Sequence, residues 1–183
     1  MTASKYLLNR LDAVMDDLTA AMLAHNRLAV VGEVAASVDQ VGRVALNAMC
    51  AEARVELDTT ICLVTLLTGT HQDFIGAAGP LSQSAVANGT DVSDSLCQYV
   101  VATGSSLQVD DTSTFCSTTP GLAGMNAAAM HSYYGEPIDV RGQTIGSFCA
   151  LDAEVRHWEG SDRAIVRRWA GRVADHLGGL VAP

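Results

Sequence analysis

The 183-residue chain contains no run of about 18 apolar residues, the length needed for one helix to span a bilayer. Its opening, "MTASKYLLNRLDAVMDDL", carries acidic residues where a secretory leader would need an unbroken apolar core. Five cysteines, Cys50, Cys62, Cys97, Cys116 and Cys149, are odd in number and include no CxxC pair. That excludes an obvious disulfide framework or structural zinc site and predicts a reducing, cytoplasmic setting. Basic residues are few: 11 against 20 acidic ones, for a formal net charge of −9. Phosphate backbones and anionic membranes are repelled by such a surface, so neither nucleic acid nor membrane is an expected partner. No proline occurs before Pro80, and repeats and low-complexity tracts are absent. HExxH, GxSxG and Walker motifs are missing too, which removes the commonest hydrolase and nucleotide templates.

What is present is a chain rich enough in apolar residues (49%) to bury a core, and only 17% charged. Leu8, Leu11, Met15, Leu18 and Met22 recur at steps of three and four, predicting a helix whose apolar seam pairs either with its own domain or with a second copy. "HNRLA" interrupts it. A second helical stretch runs through Val38, Val41, Ala45 and Ala48 to about Cys50. The period then changes. "TTICLVTLLT" (59–68) is β-branched and apolar on both faces, as a central strand must be. "DFIGAAG" returns as its antiparallel partner and stops at Gly79-Pro80. A helix capped by Ser93 carries Leu96, Cys97, Val100 and Val101 and ends at Gly104. "SLQVDD" is a short strand.

Residues 111–130 show no clean period and are expected to form a long functional or mobile loop. A hairpin follows, turning at Arg141-Gly142-Gln143. Ile145, Ser147, Cys149 and Leu151 are expected on one face of its second strand, Phe148 and Ala150 on the other. The last helix, capped by Ser161, aligns Ile165, Trp169, Val173 and Leu177 and ends at Gly178-Gly179. These elements predict an α+β fold: a central antiparallel sheet of five to six strands, terminal helices on one face, a ligand pocket and long loop on the other. Residues 1–37 would be a helical extension and dimerisation seam, 38–178 the domain, 179–183 a tail.

Several of these stretches, taken in order, carry a resemblance. "SLCQYVVATGSSLQVDD" (95–111), "YYGEPI", "GQTIGSFCALD" ending at Asp152, and "VRHWEGSDRAIVRRWA" together resemble the second half of a GAF domain. The similarity spans roughly residues 40 to 178. The resemblance implies a sensory or regulatory domain that binds a small molecule and signals through a homodimer and a separate signalling protein. It does not select a cofactor. Asp91 and Asp94 oppose a cyclic nucleotide phosphate at the 93–96 helix start, and no Arg lies between Arg54 and Arg141. Cys116 is followed by Ser117 rather than the His that accompanies a bilin thioether in this family. His131 is the candidate haem ligand, though a surface role fits its position better.

Residues expected to line the pocket are Cys97, Phe115, Cys116, Met125, His131 and Tyr133. Phe115 and Met125 would be apolar walls, His131 and Tyr133 polar handles, with ordinary packing as the plain alternative for each. Two further functions stay open: a ligand-free interaction module, and a thiol enzyme akin to free methionine sulfoxide reductase, using Cys97 and Cys116. In the hairpin itself, Gly146 is expected to allow close strand approach. Cys149 is expected to pack as a small apolar residue, and Asp152 to hold the strand exit by accepting backbone N–H groups.

Overall fold

The computed structural model describes residues 15–81, 83–115, 119 and 121–181. Its helices are α1 (Met15–Met22), α2 (His25–Ser37), α3 (Gln40–Leu57), α4 (Gln83–Asn88), α5 (Cys97–Thr103), α6 (Leu122–Ala127) and α7 (Gly160–Leu180). The strands are β1 (Ile61–Leu67), β2 (His71–Ala78), β3 (Thr90–Asp91), β4 (Leu107–Val109), β5 (Ser132–Val140) and β6 (Gln143–Asp152). They form one antiparallel sheet in the order β3-β2-β1-β6-β5-β4. Among the described residues no helix is long and apolar enough to cross a membrane.

All seven residues of β1 are buried, as a strand covered on both faces requires. It pairs with β6 from Ile61 opposite Leu151 to Leu66 opposite Gly146. Gly146 is needed there: a Cβ would sit 1.8 Å from the Thr65 carbonyl oxygen. Thr65 Oγ1 bonds the neighbouring Ser147, donating to its carbonyl at 3.1 Å and accepting from its N–H at 3.2 Å. The β5–β6 turn uses Arg141 and Gly142, both at positive φ (51° and 72°), the two-residue geometry that matches strand twist.

One face of the sheet carries α2, α3 and α7. Leu46, Cys50, Leu57, Val64, Phe148, Trp158, Trp169 and Val173 fill this core. α3 buries Gly42, Leu46, Cys50, Ala53 and Leu57; of the stripe expected through Val38, Val41, Ala45 and Ala48, only Val38, just before the helix, joins this core. Val41 is 75% exposed. Both stripes are apolar, and the larger leucines win the core. Ile145 also departs from expectation. The β5–β6 register shifts between Ile138 and Asp139, leaving Ile145 unpaired, and it joins Phe148 and Ala150 rather than Cys149.

The caps differ as well. Ser95, not Ser93, accepts from the first N–H of α5 (3.0 Å). Gly104 ends that helix with left-handed φ, as expected. α7 begins on a reciprocal Glu159–Asp162 capping box instead of Ser161 and runs on through Gly178-Gly179. Asp152 holds the strand exit with side-chain donors: Thr60 Oγ1 at 2.7 Å and Arg156 at 3.2 Å, rather than backbone N–H groups.

The N-terminal helices wrap the sheet. Met22 of α1 is buried with Phe74, Tyr99 and Val100 on the second face, whereas Val30, Val31 and Val34 of α2 belong to the first. Leu8 and Leu11 of the expected seam lie outside the described residues. Between the helices the buried Arg27 guanidinium donates to the carbonyls of Leu67 (2.7 Å), Thr68 (3.2 Å) and Met22, tying the crossover to the end of β1.

Candidate functional site

The second face of the sheet is covered by short elements, and they leave a hollow. Ile61 and Leu63 of β1, Phe74 of β2, and Cys149 and Leu151 of β6 make its floor. Leu96 and Cys97 from the start of α5 and Met125 of α6 enclose it. The cavity measures about 400 Å³. Pro80, Ala127 and Ala128, all exposed, stand at its rim. The stretch read as an aperiodic loop thus folds in part. Asp111 accepts from the Ser113 N–H in a 3-10 turn at Thr112–Thr114, and Leu122, Met125 and Met130 are buried. Six residues of α6 are too few to display a period in sequence.

Polar groups converge at one end. Tyr133 donates its hydroxyl to Cys97 Sγ at 3.3 Å, and the Cys97 and Cys149 sulfurs are 3.8 Å apart. Gly135 makes room for the phenol: a Cβ there would lie 2.2 Å from the Tyr133 oxygen. Ser95 Oγ donates to Gln72 Oε1 (2.5 Å), and Gln72 Nε2 donates to Thr90 Oγ1 (3.3 Å). The hydrogen bond from Cys149, followed by that from Tyr133, holds the Cys97 thiol below the usual cysteine range against the opposing effect of burial. That same bond, with burial, pushes Cys149 well above it. Burial and the neighbouring thiols likewise push Tyr133 up, so its phenol is the donor. Among the described residues, Asp94 is the one charged side chain on the wall, and no Lys, Arg or His lines it.

Of the residues expected here, Cys97, Met125 and Tyr133 line the cavity. Phe115 is half-buried and packs beside this core without reaching the cavity wall. His131, expected as a polar handle, is exposed and takes part here through its backbone, donating to the Asp152 carbonyl and accepting from Thr112 N–H, each at 2.8 Å. Cys116 lies outside the described residues. Cys149, Gln72 and Ser95 were missed. The alternation placing Cys149 with Leu151 was the available signal for the first. Gln72 lies just ahead of the expected strand "DFIGAAG", and no local pattern marked it.

Among the described residues, no three His, Cys, Asp or Glu side chains gather in a metal-holding group. The sequence matches the GAF domain family model over residues 42–177. The chain belongs to the GAF domain family. This places the expected likeness, the sheet and its two differently covered faces within one known architecture. Solved structures agree on the fold. The GAF domain of an Acinetobacter phosphoenolpyruvate-protein phosphotransferase is 10% identical, with a TM-score of 0.63 over 86% of this chain and 96% of that one. The type II free methionine-R-sulfoxide reductase of Thermoplasma acidophilum is 14% identical, with a TM-score of 0.63 over 78% and 96%. The blue-light absorbing form of the Thermosynechococcus elongatus PixJ GAF domain is 15% identical, with a TM-score of 0.63 over 75% and 85%. No curated protein matches the sequence. GAF domains are a family of sensory and ligand-binding domains, and these neighbours span an enzyme and a photoreceptor. At such identities the likeness speaks for architecture alone.

Proposed function

We propose that this GAF domain is a cytoplasmic small-molecule sensor whose ligand occupies the cavity between the sheet and α5–α6. The carrying observation is the cavity itself, apolar along β1 and β6 and furnished with a few converging polar groups at Gln72, Ser95 and Tyr133. With Asp94 as the one charge among its described residues, the wall favours a neutral or cationic amphipathic molecule over an anion. Binding would order α6 and pass to the helices through β1 and β6, whose opposite faces pack on α2, α3 and α7. Output would travel to another chain. The outward Val41, Val44 and Val55 of α3, exposed by 75%, 59% and 76%, offer an apolar stripe to a second copy or a signalling partner. The four cysteines among the described residues are buried and free of disulfides, which suits a reducing compartment.

Native mass spectrometry of the purified, reduced chain, followed by melting against a metabolite panel, tests the sensor. A ligand at 100 times its dissociation constant adds about 2.7 kcal/mol. No retained mass, and no compound that shifts melting, would end this reading. The exposed valines favour one alternative, a ligand-free interaction module. In that case Val44→Asp with Val55→Asp abolishes association while the cavity variant Met125→Trp changes nothing.

A further inference from the structure

Two thiols from distant parts of the chain meet on the cavity wall. Cys97 opens α5 and Cys149 lies within β6, 52 residues later, with 3.8 Å between the sulfurs. Both line the cavity. The other described cysteines, Cys50 and Cys62, belong to the core on the opposite face of the sheet. A disulfide bond is about 2.0 Å long, so sulfurs already in contact need to close by only about 2 Å. The two environments are unequal. Cys97 receives a hydrogen bond from the Tyr133 hydroxyl and its sulfur touches that of Cys149; its thiol is held below the usual cysteine range while that of Cys149 is pushed above it. A pair with one activated sulfur and one protonated neighbour is arranged for attack and resolution. The apolar walls, with no cation among the described lining residues, favour an uncharged organic oxidant.

We propose that Cys97 and Cys149 are a redox-active pair that an organic hydroperoxide entering the cavity closes to a disulfide. Cys97 sulfur attacks the distal peroxide oxygen and the O–O bond breaks. The leaving alkoxide takes the proton given up by the Cys97 thiol and departs as an alcohol. Cys97 is now a sulfenic acid. Cys149 sulfur attacks the Cys97 sulfur, the S–OH bond breaks, and hydroxide leaves with the Cys149 proton as water. Two thiols are oxidised, the peroxide is reduced, and a covalent link joins α5 to β6. Cys116, the partner expected from sequence, has no part in it. This reaction goes beyond the sensor reading, since a chain that retains no ligand can still close the pair.

The test uses the full chain, reduced, freed of reductant and treated with tert-butyl hydroperoxide. The intact denatured mass falls by two hydrogen atoms, dithiothreitol restores it, and peptide mapping finds a Cys97–Cys149 cross-link. Cys116→Ser keeps the link. Cys149→Ser stops at a sulfenic acid on Cys97 that dimedone traps, and Cys97→Ser loses both products. Unchanged mass, or a cross-link that joins Cys97 to Cys116 or to a second chain, overturns the proposal. Should a cysteine variant fail to fold, the wild-type peptide map decides alone. Ligand melting is read on reduced protein, so failure there leaves this result unaffected.

Discussion

The two faces of one sheet have been treated in opposite ways. On the first, long helices lay down large side chains. The segment leading into α7 adds Trp158, which is fully buried, donates its indole N–H to the Val109 carbonyl (3.3 Å), and lies 6.0 Å from Tyr134 between ring centres. On the second, α5 and α6 are only seven and six residues long, and about 400 Å³ stays open above strands that are just as apolar. The difference shows that stability and vacancy are divided within a single domain. One side supplies close packing, and the other can therefore carry a hollow and its buried thiols.

The comparison is broken most severely from the packed side. Phe148→Ala, a fully buried ring on the helix face of β6, is expected to cost about 3–5 kcal/mol in denaturant unfolding. Next is the crossover joining the faces. Arg27→Met leaves the Leu67, Thr68 and Met22 carbonyls without their donor and should cost about 2–3 kcal/mol by the same measurement. A loss under about 0.5 kcal/mol would show that this link is not a structural tie.

The open side sharpens the contrast. Met125→Trp adds volume where volume is vacant, so it should change stability by about 1 kcal/mol or less while abolishing ligand-induced melting shifts. The smallest effect concerns His157, an exposed residue whose pKa is raised by the hydrogen bond to Asp110 (2.8 Å). A raised folded-state value means stability gained below the unfolded value of about 6.5 and lost as pH climbs through the folded one. The wild type should therefore exceed His157→Asn slightly at acidic pH and match it above neutrality, in paired melts across that range.

Much of the frame was readable in advance, and the failures share a cause. β1 and β6 were expected in one sheet and are neighbours in it, because burial on both faces imposes an unbroken apolar run. α3 was read onto the wrong stripe because two apolar stripes ran along it, and nothing local ranks them. α6 was read as loop because a helix needs more than six residues to show its period. Ile145 changed faces through one bulge, which no alternation rule anticipates.

The sequence by itself determined every strand but the two-residue β3, the hairpins and the family, since β-branching, turn residues and motif order are local properties of the chain. Only the tertiary structure decided that Cys97 faces Cys149, that His131 turns outward, and that a cavity survives between α6 and the sheet. Those outcomes depend on which surfaces, far apart along the chain, come to share a space, and on how completely their side chains fill it.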